Sequence, residues 1–202
     1  ACIPRKEVLE SDLEDAIFAA DFGHVIENRA PDVYKNPEKF CQNTYPTATL
    51  KKLVTTIFSR LADPNEAGAS LRLSTGFGGG KTHTLIALWH LARNISNLNL
   101  CTDLLPAAGR PKKLIVAGID ASKFGKPICA THGNIQTHSL WGELAYQLGG
   151  EAGYQKMQIV DDLTSLPNAQ MVQAMLPDEP VLILLDEVVI YMAALDEQAQ
   201  NA

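Results

Sequence analysis

Thr75-Gly76-Phe77-Gly78-Gly79-Gly80-Lys81-Thr82 decides how this chain is read. A run of glycines lets the backbone turn tightly enough for successive N–H groups to point inward at an anion. The ammonium of Lys81 reaches the outer phosphates of a nucleotide, and the Thr82 hydroxyl can take a place on Mg²⁺. Leu71 to Ser74 reads as a strand leading in, and His83 to Asn94 as a helix leading out. The helix N-terminus then adds its partial positive charge to the same site. Gly76, Phe77, Gly78, Gly79, Gly80, Lys81, Thr82 and His83 are therefore the candidate phosphate-binding residues. The usual pattern, G-x-x-x-x-G-K-[ST], has a glycine where this chain has Thr75, with Gly76 one place later. A glycine-rich hairpin that happens to precede Lys-Thr is the weaker alternative.

Further along, Val181-Leu182-Ile183-Leu184-Leu185-Asp186-Glu187 is an apolar run ending in two acids. In a parallel α/β sheet, ligands bind outside the carboxyl ends of the strands, which places both acids on the edge that carries the glycine loop. Asp186 is expected to hold Mg²⁺ opposite Thr82, and Glu187 to activate the attacking water as general base. By itself an apolar run followed by Asp-Glu is weak, because many strands end in an acid that caps the next helix. Paired with the loop, in the right chain order, it is strong. A small-molecule kinase would want an acceptor pocket and often an arginine-rich lid; no such arginine cluster is present, so hydrolysis is favoured over transfer.

Around these motifs the chain divides in two. Residues 1–66 read as helix and loop, and residues 67–202 as the first part of an α/β core. Ser11-Asp12-Leu13-Glu14 is a capping box opening a short helix. Arg29 to Pro46 reads as an ordered loop. Leu50, Leu53, Val54, Ile57, Phe58 and Leu61 form one apolar stripe at helical spacing, expected to pack on the sheet that follows. Beyond residue 67, strands at Leu71–Ser74, Leu114–Ile119 and Val181–Leu185 alternate with helices at His83–Asn94, His138–Leu148 and Pro167–Leu176. The second helix is expected to stop at Gly149-Gly150. The continuous apolar strand VLILL implies burial on both faces, hence a parallel sheet covered by helices. Asn97 to Arg110 and Lys123 to Gln136 are long connections.

Composition narrows the function. A 202-residue chain with 46% hydrophobic residues can bury one sizeable core. A net charge of -6 argues against coating nucleic acid, and the cluster Arg110, Lys112, Lys113 reads as a solvated turn. No apolar stretch approaches the ~18 residues that span a membrane. Cys2, Cys41, Cys101 and Cys129 show no metal or redox spacing; Cys129-Ala130-Thr131-His132 has the form C-x-x-H without a second pair, a poor zinc signal. A reducing cytoplasm is the simplest fit.

Single residues carry less. Tyr45 reads as a cap on the helix stripe, with an adenine platform as the alternative. His83 either approaches the phosphates or lies on the helix surface. Trp89, His90 and Trp141 read as core or core-edge, Asp120 as a turn former, and His132 and His138 have no evident partner.

Taken together, the chain resembles domain-of-unknown-function family 499, predicted AAA-like P-loop ATPases. The resemblance runs through CIPRKEVLE, DAIFAADFG, NTYPT, STGFGGGKTHTLIALWHLA and THGNIQTHSLWGELAYQLGG, and covers essentially the whole chain. It also accounts for the missing first glycine, which that family lacks as well. The resemblance implies a P-loop NTPase core of the additional-glutamate type, with ATP and Mg²⁺ as cofactors and Lys81, Thr82, Asp186 and Glu187 as nucleotide residues. Members are large bacterial and archaeal proteins, commonly encoded beside DNA methylases and helicases in defence-type clusters. The implied function is ATP hydrolysis driving conformational change in a DNA-modification or phage-defence machine, as a homo-oligomer or within a larger complex. An ATP-dependent switch or scaffold is the rival. The resemblance further implies a core incomplete at its C-terminus, without sensor or arginine finger, that binds nucleotide and hydrolyses it slowly.

Overall fold

A computed structural model of the chain describes residues 20–73, 80–123, 130–162 and 165–193. Among the described residues, five α-helices precede the first strand: α1 (Phe22–Ile26), α2 (Asp32–Lys35), α3 (Pro37–Asn43), α4 (Ala48–Leu61) and α5 (Lys81–Arg93). Then come β1 (Ile115–Asp120), the short strands β2 (Ala130–His132) and β3 (Ile135–Thr137), α6 (Leu140–Met157), α7 (Ala169–Met175) and β4 (Val181–Asp186). Residues 188–193 are again helical.

β1 and β4 run parallel, in register from Ile115 beside Val181 to Asp120 beside Asp186. The pleat divides their side chains between two cores. Val116, Leu182 and Leu184 pack with α1, α3, α4 and α5, around Phe22, Phe40, Val54, Phe58, Ile86 and Leu91. Ala117, Ile119 and Val181 pack with α6 and α7, around Leu144, Ala145, Met157 and Met175. The result is an α/β architecture, a small parallel sheet between two helical layers.

Several expectations change here. Residues 71–73 are not a strand: among the described residues none pairs with them, Leu71 is exposed, and of the three Leu73 alone joins the core. Ser74 and the capping box at 11–14 lie outside the described residues. The run VLILL is not buried on both faces, since Ile183 and Leu185 are 36% and 38% exposed while Leu184 is buried. On one face of β4 Leu184 is buried and Leu182 half-buried, while on the other only Val181 at its start is partly covered.

Arg29 to Pro46 holds α2 and α3 rather than a loop. Asn36 builds α3, accepting from the Glu38 and Lys39 amides ahead of Pro37 at the first turn. Lys123 to Gln136 contains most of an antiparallel hairpin, β2 with β3, turning at Gly133-Asn134. The helix is broken at Gly149-Gly150 as expected, Gly150 taking φ 61° and ψ -149°, open to glycine alone; what differs is that a second helical stretch follows directly, to Met157. Arg110 is buried, not solvated, because its guanidinium closes the loop before it by donating to the carbonyls of Asn97, Leu100 and Leu105.

The helix at 48–61 forms as its stripe requires, burying Leu50, Val54, Ile57 and Phe58. As expected, it shares one core with the sheet residues Val116, Leu182 and Leu184, and it also packs against the turn at Ala107–Gly109. No described helix is long and apolar enough to cross a membrane.

Candidate functional site

Among the described helices of seven residues or more, α3, α4, α6 and α7 each start with a side chain accepting from a first-turn amide: Asn36, Thr47, Ser139 and Asn168. α5 starts differently. Its N-cap is Gly80, left-handed at φ 74°, with no side-chain cap. Gly80 has no side chain to cap the first turn of α5, unlike the N-cap residues of those four helices. Gly80 still ties the turn through its carbonyl, which accepts from the Thr84 amide and hydroxyl. Lys81 and Thr82 are the first two residues of this helix and both are half-buried. Gly76, Phe77, Gly78 and Gly79, with Thr75, lie outside the described residues.

The two motifs meet. Thr82 Oγ1 donates to Asp186 Oδ2 at 3.3 Å, across 104 positions of sequence. Asp186 is the last residue of β4, so the contact lies at the carboxyl end of the parallel sheet. Its other oxygen, Oδ1, accepts from the Glu187 amide at 3.1 Å. Glu187 is exposed and adopts φ 53°, the left-handed region that residues with a Cβ seldom enter. Its carbonyl accepts from the Ile190 amide at 3.0 Å and so begins the next helical turn. A hydroxyl and a carboxylate side by side are hard oxygen donors, suited to a divalent cation of the Mg²⁺ kind. Among the described residues, no group of three or more His, Cys, Asp or Glu could hold a metal by itself.

Asp120, the register partner of Asp186, is a turn former as expected: it accepts from the Ser122 amide and hydroxyl. His83 is half-buried and is not a helix-surface residue. Its Nε2 lies 3.0 Å from Thr44 Oγ1, whose own hydrogen goes to the Phe40 carbonyl. The imidazole is therefore the donor, and its ring rests on Phe40 at 4.6 Å. His90 is core: Nε2 donates to the Tyr34 carbonyl at 2.7 Å, and burial pushes its pKa below the usual histidine value. Tyr45, expected to cap the helix stripe, is instead 81% exposed.

Two carboxylates that the sequence did not single out are buried behind the sheet. Glu143 accepts from Thr137 Oγ1, His132 Nε2 and Gln147 Nε2, each at 2.8 Å. His132 thus has a partner after all, and it stacks on Tyr146 at 3.9 Å. Gln147 also pairs with both the amide and the carbonyl of Gly118, closing the edge of β1 at that point. Asp161 accepts from the His138 and Ser139 amides, Ser139 Oγ and the Tyr154 hydroxyl. Cys41 and Cys101 form a disulfide across 60 positions, which no spacing rule suggests.

No curated protein and no solved structure matches this chain. A family model does, over residues 3–202, which is nearly all of it. The chain belongs to the DUF499 family and carries its N-terminal domain.

Proposed function

We propose that this domain binds ATP with Mg²⁺ at the start of α5 and hydrolyses it, as an AAA-like P-loop ATPase. One observation carries the reading: the Thr82 hydroxyl and the Asp186 carboxylate, from motifs far apart in sequence, lie 3.3 Å apart at the carboxyl end of β4. A glycine hairpin with no nucleotide role has no need of that partner.

The residues divide the work by their chemistry. The first-turn amides of α5 and the Lys81 ammonium hold the phosphate oxygens. Thr82 and Asp186 would hold Mg²⁺, which would supply positive charge against the phosphates. Glu187, the next residue and open to solvent, orients a water for in-line attack and takes its proton. Asp186 is held for its task by the Glu187 amide, so the two acids are set relative to one another by a single backbone bond. Turnover would drive conformational change in a larger DNA-modifying or defence assembly, as the family resemblance implies.

The test is thermal unfolding with and without Mg·ATP, for the natural chain and for Lys81→Ala. Ligand at about 100 times its dissociation constant adds roughly 2.7 kcal/mol to stability. A rise in melting temperature that disappears in Lys81→Ala supports the site. An equal rise in both proteins, or none in either, removes it. Glu187→Gln then separates binding from turnover: it should keep the thermal shift and lose hydrolysis by about 10²–10⁴-fold.

A further inference from the structure

We infer that Cys41 and Cys101 are a thiol–disulfide redox site whose state sets how firmly α3 holds His83 beside the phosphate-binding end of α5. Three observations combine. Cys41 lies on α3 and Cys101 in the loop after α5, with their Cα atoms 5.3 Å apart, within the span that a disulfide bridges. Both cysteines are half-buried and line an open cavity of about 480 Å³, together with polar Glu38, Gln42 and Asn99, so a small thiol can reach the sulfurs. The two anchors differ in firmness. The Cys101 side is pinned by Arg110, which gathers the carbonyls of Asn97, Leu100 and Leu105. The Cys41 side is a seven-residue helix that buries only Phe40. α3 is therefore the part that moves when the bond opens.

What α3 carries makes this consequential. Phe40 lies under the imidazole of His83, and Thr44, the C-cap of α3, accepts a hydrogen bond from it. His83 follows Thr82, whose hydroxyl meets Asp186. Opening the disulfide loosens the platform on which the first turn of α5 rests.

The chemistry balances with a low-molecular-weight disulfide such as oxidised glutathione. One cysteine thiolate attacks it and releases a thiol; the second thiolate attacks the mixed disulfide and releases another. Two electrons pass from the protein to the small disulfide, and the reverse exchange restores both thiols.

The effect on nucleotide rests on the ATP-site reading, so the experiment reads both. A Cys2→Ser/Cys129→Ser chain is poised in oxidised or reduced glutathione, its free thiols are counted by maleimide mass shift, and its Mg·ATP affinity is measured. The expected result is two thiols lost on oxidation and recovered on reduction, with the reduced form binding roughly five- to tenfold more weakly. Cys41→Ser added to that background should behave as the reduced form in either buffer. Two thiols that stay free in oxidised glutathione, or equal affinities in the two states, overturn the proposal. If neither state binds Mg·ATP, the ATP-site reading fails and the redox site is judged on the His83 imidazole NMR signal. A signal that shifts with redox state sustains it; an unmoved one overturns it.

Discussion

Asp186 and Asp161 are both carboxylates at the end of a structural element, yet their surroundings are opposite. Asp161 is buried and accepts from four donors, two amides and two hydroxyls. Glu143, its neighbour on α6, is buried with three side-chain donors. Asp186 is half-buried and among the described residues takes two bonds, one from the adjacent amide and one from Thr82 at the long distance of 3.3 Å. A carboxylate whose lone pairs are all engaged fixes structure. One that keeps capacity at an open sheet edge can exchange a partner for a ligand.

The largest expected effect tests the saturated side. Asp161→Ala leaves the Ser139 hydroxyl and two amides without their acceptor, the Tyr154 hydroxyl keeping only the Gln136 carbonyl, and removes the group that organises the start of α6. A loss of roughly 3–5 kcal/mol in denaturant unfolding follows from several buried groups left unpaired. Mg·ATP affinity of the folded fraction should stay as it was. A stability change under about 1 kcal/mol would break the contrast, because it would mean that Asp161 is as dispensable to the fold as a surface acid.

Asp186→Ala tests the other side with the opposite pattern. Little stability rests on two hydrogen bonds at a half-exposed edge, one of them long and one to an exposed neighbouring amide, so unfolding without ligand should change by less than about 1 kcal/mol. The roughly 2.7 kcal/mol added by Mg·ATP at 100 times its dissociation constant should fall away. Differential scanning calorimetry of both variants, with and without Mg·ATP, sets the two carboxylates side by side. If Asp186→Ala unfolds as readily as Asp161→Ala, Asp186 is a structural residue and the comparison collapses.

The same contrast explains what the sequence shows and what it hides. The Gly80-Lys81-Thr82 start of α5 and the Asp186-Glu187 end of β4 are legible because each motif is local: a few adjacent residues set both backbone and chemistry. The α4 stripe is legible because Leu50, Val54, Ile57 and Phe58 repeat at the helical period. Glu143, Asp161 and Arg110 are hidden because their partners are brought in by tertiary packing; an arginine beside two lysines looks solvated until a loop folds around it. The Cys41–Cys101 bond is hidden for the same reason. The β2–β3 hairpin did carry a local signal, Gly133-Asn134 between β-branched residues, but its three-residue strands are too short to stand out. The strand expected at Leu71–Ser74 fails because a strand needs a partner, and among the described residues 71–73 have none.

A smaller effect sharpens the saturated side through pH. Burial, reinforced by the neighbouring Asp161 carboxylate, pushes the Tyr154 hydroxyl up to about 12 from an ordinary value of 10.0. The raised value means that the folded state keeps the proton longer than the unfolded chain does. The associated stability is complete below pH 10 and is lost as pH rises from about 10 towards 12. Tyr154→Phe removes that slope and one buried hydrogen bond, at a cost of about 1 kcal/mol near neutrality. Urea unfolding at pH 8, 10 and 11 reads both. An unchanged slope in Tyr154→Phe would detach the tyrosine from the Asp161 network.

The smallest effect lies at Glu187, where the two kinds of site diverge most. Glu187 holds φ 53° without being glycine, and its side chain is exposed, so packing does not repay the strained backbone. Glycine adopts that conformation freely. Glu187→Gly is therefore expected to stabilise the unliganded domain by about 0.5–1 kcal/mol, while the amide that holds Asp186 stays in place and Mg·ATP still binds. Hydrolysis should fall with the lost carboxylate. A stabilised variant with hydrolysis intact would leave Glu187 no part in turnover. A destabilised variant would mean that the carboxylate supports the fold, placing Glu187 with Asp161 and Glu143 rather than with Asp186.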